Sequence, residues 1–512
     1  MPGMITMSPQ RRRLVTAGVM TGMLLAALEG TVVGTAMPTI VAALGGLAHY
    51  SWVFSAYLLT STVTVPVWGK LSDLFGRRRL FQIGVAVFLL GSAMCGFAQT
   101  MTHLIIWRAV QGIGAGALVP LAMTIIGDIF TLEERAKMQG LFSGVWGVAS
   151  VFGPLLGGFI TDQLSWRWVF LINLPVGIAA AAIIGFGLVE PKREERPVID
   201  YAGAAVLTVA VTMLLLVFGE GSSPAKLLQP FTLALIAGIG VLFFWFIRIE
   251  KRATDPMVPL ELFRNRVVAV SIEVGFLAGI AMFAAITFVP LLAQGVFGAT
   301  ATEAGSFLTP LMLSWVLASI VGGRLLIRMG SRTLVLTGLL SMLGGFSALA
   351  RFSHETSHVA IVVELIFIGA GLGLTMLTLL IAAQHSVPRE QLGITTSLNQ
   401  FSRSIGGAIG VALLGAMLAA GLAAFSQDPN ALVNAEARAK LSPADLVALQ
   451  GALEGTLRTI FWTCAAVVAL AFLAALRIPG GRVGEPECDK DAGERFMVAE
   501  MTNIDAAHEP EA

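Results

Sequence analysis

The chain is a succession of apolar runs about 20 residues long, each ended by a charge cluster or by glycine and proline. A run of that length crosses a ~30 Å hydrocarbon core at 1.5 Å per residue. In lipid every backbone amide must be satisfied internally, so such runs become helices and their succession becomes a bundle. Cutting at the punctuation gives fourteen spans, at 14–37, 51–70, 80–98, 103–126, 138–160, 167–189, 200–219, 230–248, 267–292, 304–327, 332–350, 358–383, 395–422 and 457–477. The expected class is an all-α polytopic membrane protein. The composition agrees, with 56% hydrophobic and only 13% charged residues, where a soluble chain carries about 25% charge.

The placement of basic residues, rather than the net charge of +1, sets the topology. Alternate connections hold Arg11, Arg12 and Arg13; Lys70 with Arg77, Arg78 and Arg79; Arg135 and Lys137; Lys192, Arg193 and Arg196; Arg248 through Arg266; Arg328 and Arg332; Arg389; and Arg477 with Arg482. The positive-inside bias then puts both termini in the cytoplasm, as an even span count requires. The first run is too long for the apolar core of a signal peptide and is read as a retained helix. Cys95, Cys464 and Cys488 form neither a disulfide framework nor a metal site. There is no GxxxxGK[ST] motif for an ATP-driven pump, and nothing supports nucleic-acid binding.

The sequence also repeats itself. GKLSDLFGRRR at 69–79 is echoed by GRLLIRMGSRT at 323–333, an offset of 254; His103 and the IGAG at 113–116 recur as His358 and the IGAG at 368–371, an offset of 255; Phe142, Ser143 and Gly147 recur as Phe401, Ser402 and Gly406, an offset of 259. The simplest parse is two six-helix halves, 14–189 and 267–477, with 190–266 carrying two inserted helices. Residues 425–456 are expected outside, partly helical by pattern, and 478–512 as a disordered acidic cytoplasmic tail.

GKLSDLFGRRRL (69–80) resembles the signature between helices 2 and 3 of the major facilitator superfamily, and LIIWRAVQGIGAGAL (104–118) its helix 4 signature. VASVFGPLLGG (148–158) resembles the helix 5 antiporter motif, with Ala149 where glycine is usual; LEGTVVGTAMP (28–38) is similar to the helix 1 motif of the fourteen-helix drug:proton antiporters, with Glu29 where aspartate is usual. SWRWVFLINLPVG (165–177) resembles that branch's helix 6 entry. The resemblance spans about residues 14–480 and implies a major facilitator fold and export of hydrophobic or cationic compounds in exchange for protons. The proton motive force would drive it with no cofactor. The implied setting is the cell membrane, and a monomer is expected.

Charges inside the spans are the functional candidates, because an ionised group at mid-membrane costs about 2.5 kcal/mol or more and normally faces the bundle interior. Glu29 and Arg108 lie at depths differing by only about 5 Å and can pair, a carboxylate and guanidinium whose separation would switch proton binding. Glu273 and Glu364 are candidates for a second proton or cation site. Gly69, Asp73, Gly76, Arg77 and Asp128 are expected at a cytoplasmic gate, bracing it by charge pairing. Gly153, Pro154, Gly157 and Gly158 would let the fifth span bend and approach a neighbour closely. Trp52, Gln111, Trp146, Phe152, Phe276, Phe283, Met312 and Met376 are candidate lining for a substrate cavity. The rival readings are a dedicated exporter of one metabolite, lipid or siderophore, and a non-transporting membrane sensor. An enzyme is disfavoured by the lack of clustered ligands or an activated nucleophile.

Overall fold

The computed structural model describes residues 7–130, 132–188, 229–252, 260–353, 356–388, 391–423 and 442–479, with isolated positions at 203, 206, 209, 210 and 213. Among these residues the secondary structure is helical throughout. The first half holds α1 (Pro9–Leu44), α2 (Tyr50–Phe75), α3 (Arg77–Gly96), α4 (Met101–Ile129), α5 (Leu132–Gln163), α6 (Trp168–Leu171) and α7 (Asn173–Gly187). After α8 (Pro230–Glu250), the second half holds α9 (Arg266–Leu291), α10 (Ala301–Met329), α11 (Ser331–Leu349), α12 (His358–His385), α13 (Leu392–Ala423) and α14 (Pro443–Ala475). Twelve helices among the described residues are long and apolar enough to cross a membrane, with Trp168–Gly187 as one of them. The hydroxyl-rich α2 lies outside that twelve, yet its 26 residues extend about 39 Å. The expected span at 200–219 falls almost wholly outside the described residues, as do Asp73's side chain and the tail from 480.

The helix ends follow from local chemistry. Thr100, Asn265, Ser357 and Ser442 accept hydrogen bonds from the first-turn amides of α4, α9, α12 and α14, and Thr300 with Glu303 closes a capping box on α10. Ser442, followed by proline at the first helical position, starts α14 fourteen residues before the expected span at 457, inside the segment read as external loop. Leu449 and Leu453 are fully buried, so that early turn is packed into the bundle.

The repeat is a repeat of backbone and contact. Gly76, between α2 and α3, has φ 90° and ψ 144°; Gly330, between α10 and α11, has φ 79° and ψ 158°. Only glycine takes such a corner without strain. In α4, Gly112 and Gly116 press against α2 while Gly114 presses against α3; in α12, Gly369 and Gly373 press against α10 while Gly371 presses against α11. These contacts set the true register of the fourth helices at 257 residues, two beyond the IGAG match, because alternate glycines serve opposite neighbours. Small residues let membrane helices approach where no hydrophobic force drives them together.

The end of the bundle carrying Arg11 to Arg13 and Arg77 to Arg79 is here called the basic end. There the halves have separate cores, one built on Val15, Phe81 and Ile125 and another on Leu262, Val268 and Leu398. The largest core joins the two halves toward the opposite end, from Met37 and Tyr50 to Phe288 and Leu311, and from there continues within the second half alone to Val335 and Ile478. Cross-half hydrogen bonds gather at the same end: Tyr50 donates to the Thr287 carbonyl at 2.8 Å, Gln294 to the Thr35 carbonyl at 2.9 Å, and the Thr302 amide to Asp162 at 2.7 Å. The halves are thus sealed at one end and divided at the other. Of the 21 residues of α8, only Ile239, Phe246 and Glu250 are buried, which makes it a peripheral helix; Phe246 joins Leu59 and Val63 of α2 and Ile405 and Ala412 of α13 across the seam.

Candidate functional site

Four spans of the first half deliver polar side chains to one dry point. Glu29 comes from α1, Ser92 from α3, Arg108 and Gln111 from α4 one turn apart, and Asn173 from the start of α7; each is at most 5% exposed. Arg108 forms an ion pair with Glu29 through Nη1, which also donates to Gln111 Oε1 at 2.8 Å, while its Nε donates to the Val53 carbonyl at 3.1 Å. Asn173 Nδ2 donates to the other carboxylate oxygen of Glu29 at 2.7 Å and to Ser92 Oγ at 3.0 Å; Gln111 Nε2 reaches the same Ser92 oxygen at 3.1 Å. The guanidinium lies over the Tyr57 ring at 4.1 Å from its centroid, in cation–π contact. The carboxylate and guanidinium neutralise one another and their remaining atoms are satisfied, the condition for carrying charge in a membrane interior.

The expected pairing of Glu29 with Arg108 is therefore present. Gln111, expected in the substrate cavity, instead belongs to this sealed network and is fully buried. Asn173, Ser92 and Tyr57 escaped the sequence reading. Small polar groups in apolar runs usually satisfy their own backbone, and the one available signal was an asparagine interrupting WVFLINLPVG.

The other candidates lie elsewhere. Glu273, in the first turns of α9, pairs with Arg477 just beyond α14, both about half exposed, beside a cavity of about 720 Å³ that Phe276 also lines. Glu364 in α12 is remote in sequence from Glu273 and keeps one buried carboxylate oxygen without a hydrogen-bond partner. Arg77 pairs with Asp128 in partly buried surroundings, joining the start of α3 to the end of α4. Both partners belong to the first half, so the pair ties a corner within that half and does not bridge the division at the basic end. Gly69 has open space around it, and Gly76 makes the positive-φ corner.

The helix 5 motif works by close approach on two sides. A Cβ at Gly153 would fall on the Thr31 hydroxyl and one at Gly157 would lie 2.4 Å from the Val32 carbonyl oxygen, both on α1; one at Gly158 would lie 2.4 Å from the Ala301 carbonyl oxygen of α10. Pro154 lies inside α5, its carbonyl against Gly305 of α10. Of the apolar candidates, Trp146 and Phe152 are open while Trp52 is half-buried. Met312 and Met376 are buried in the core, which removes them from an open lining, and Phe283 packs under Gly407.

A two-half helical bundle with a buried ion pair in one half and a division open at one end defines a polytopic transporter-like membrane protein. The family model described as Major Facilitator Superfamily matches residues 19–411. The chain belongs to that superfamily. It is 45% identical over 414 residues to the Multidrug transporter protein MdtP of Bacillus subtilis, covering 80% of this chain and 75% of that one. It is 34% identical over 490 residues to Multidrug resistance protein 3 of the same organism, covering 92% and 96%. Among solved structures, a bacterial homolog of the human lysosomal transporter Spinster, crystallised inward-facing and unoccupied, superposes with a TM-score of 0.66 at 17% identity, covering 92% of this chain and 98% of that one, a likeness of fold.

Proposed function

We propose that the chain is a proton-coupled exporter of hydrophobic or cationic compounds. In this reading it lies in the cell membrane as a monomer with fourteen spans, its basic end and both termini in the cytoplasm, and works by alternating access between its halves. The observation that carries the reading is the buried Glu29 carboxylate, held between Arg108 and Asn173. The names of the multidrug relatives support small-molecule export.

The chemistry is a linkage. Protonating Glu29 withdraws the counter-charge from Arg108, and moving α1 away from α4 does the same. Each event makes the other easier, and the linkage is reciprocal. The form with the basic end open and the pair closed is then the proton-free state, ready to take substrate from the cytoplasm. A proton moving down the membrane potential supplies about 2.3 kcal/mol per 100 mV.

The test is transport by the full-length protein in proteoliposomes with an imposed pH gradient. Wild-type protein should accumulate tetraphenylphosphonium against its gradient, and Glu29→Gln should lose gradient-driven accumulation while inserting normally. Accumulation that is indifferent to the pH gradient would sink the reading.

A further inference from the structure

Three charged pairs lie within or beside the spans: Arg108 with Glu29, Arg77 with Asp128, and Glu273 with Arg477. Arg403, like Glu364 and Arg324, has no such pair among the described residues, and of the three it is the one beside the division between the halves. It stands eleven residues into α13, about 17 Å from that helix's basic end, with its backbone carbonyl against Gly279 near the middle of α9. Its guanidinium donates through Nη2 to the amide oxygen of Gln400 one turn earlier, at an exposed position. Among the described residues no carboxylate lies within ion-pair distance of it.

The direction in which this arginine opens follows from the helix period. On α13, Ala408 and Gly415 abut α2 of the first half: Ser55 donates to the Ala408 carbonyl at 3.3 Å, and a Cβ at Gly415 would strike Ser51. Stepping toward the basic end by turns of three and four residues, the same face carries Ser404, Gln400, Ser397 and Gly393. Gln400, Ser397 and Gly393 are exposed. The face sealed against the first half at one end is therefore open where the halves divide. Arg403 borders it on the flank packed against α9, where Gly407 meets Phe283 and Gly410 meets Ile280, and nearer the basic end Gln384 Nε2 of α12 reaches Thr396 on the same flank at 2.8 Å. Ile405 and Ala412, packed in the cluster with Phe246 of α8, occupy the other flank.

We infer that Arg403, with Gln400 beside it, binds the anionic group of an amphiphilic substrate in the cleft between the halves. A carboxylate, sulfonate or phosphate would give the guanidinium a counter-charge that no described residue supplies, and its planar fork suits such oxygens in a bidentate grip. The apolar body of the substrate would lie along the exposed cleft. Glu29 offers no competing attraction there for a cation, being sealed behind Arg108 and Asn173. The substrate range thus extends to anionic and zwitterionic amphiphiles. The inference deepens the export reading and names a substrate class for it, but its test reads binding and needs no transport.

The probes are 8-anilinonaphthalene-1-sulfonate and N-phenyl-1-naphthylamine, which share one aromatic body and differ by the sulfonate. Their binding to the full-length protein in nanodiscs is read by fluorescence, with empty nanodiscs subtracted. Wild-type protein should prefer the sulfonate at least tenfold, Arg403→Gln should erase that preference, and Arg403→Lys should keep part of it. A structural role would weaken both probes together and leave their ratio intact, which overturns the inference. Wild-type protein binding the two equally would overturn it even if Arg403→Gln failed to fold. A sulfonate preference that depends on Arg403 in a protein deaf to pH gradients would uphold this site and defeat the proton-coupling proposal.

Discussion

Arg108, with 1% of its surface open, is tolerable only because four neighbours take up its donors and its charge. Removing one partner of a buried pair costs about 3–5 kcal/mol, since the other charge is left uncompensated. Arg108→Ala and Glu29→Gln each leave one charge of the pair buried without its partner, so each should lower the melting temperature of the purified protein markedly, with Arg108→Ala and Glu29→Gln together costing less than the sum of the two. Additive losses would mean the pair is incidental. Asn173→Ala takes one donor from a charged carboxylate, a bond worth about 1.5–3 kcal/mol. Gradient-driven transport should fall about tenfold or more with expression intact; normal transport would remove Asn173 from the coupling network. Charged residues here were legible from sequence because they are rare in apolar runs. Ser92 and Asn173 were not, because a lone hydroxyl or amide in such a run carries no sign of its partner. Arg403 went unremarked for a related reason: in NQFSRSIGG it sits among other polar residues and reads as the end of a loop, whereas its helix continues about 20 residues further.

At the scale of helices, the stretch at 69–80 builds a corner. Gly76 turns the chain, and Arg77 fastens the next helix to Asp128 at the end of α4. Reversing both charges, Arg77→Asp with Asp128→Arg, should restore much of the stability that either single change loses. Two additive losses would show that the partners act separately. The α5–α10 contact is the other decisive one, because backbone meets backbone at Gly158 and Gly305. Gly158→Leu would wedge α5 from α10 at the end where the halves are sealed. Spin labels placed there on α5 and α10 should report longer distances than in wild type, with slower turnover; an unchanged distribution would contradict the contact's role. Of the fourteen expected spans, twelve membrane-length helices stand among the described residues. The succession of such helices and the repeated corner at Gly76 and Gly330 were readable because span length and the glycine turn are set by local chemistry. The register of the fourth helices was not, since a repeated IGAG does not reveal which glycine faces which neighbour.

For the whole molecule, the merged core at one end and the divided cores at the other describe a bundle open on its basic side. The peripheral α8 covers the α2–α13 seam through Phe246, while on the opposite flank of α13, packed on α9, the Arg403 guanidinium reaches back to the exposed Gln400. No sequence pattern announces which end of a bundle is closed, because that depends on contacts between distant helices such as Tyr50 with Thr287. The account rests most heavily on linkage between substrate and the proton of Glu29. Its most direct test adds tetraphenylphosphonium to purified protein in weakly buffered detergent and follows the pH of the solution. Wild-type protein should release protons in a saturable way and Glu29→Gln should release none; release that persists undiminished in Glu29→Gln would contradict the account.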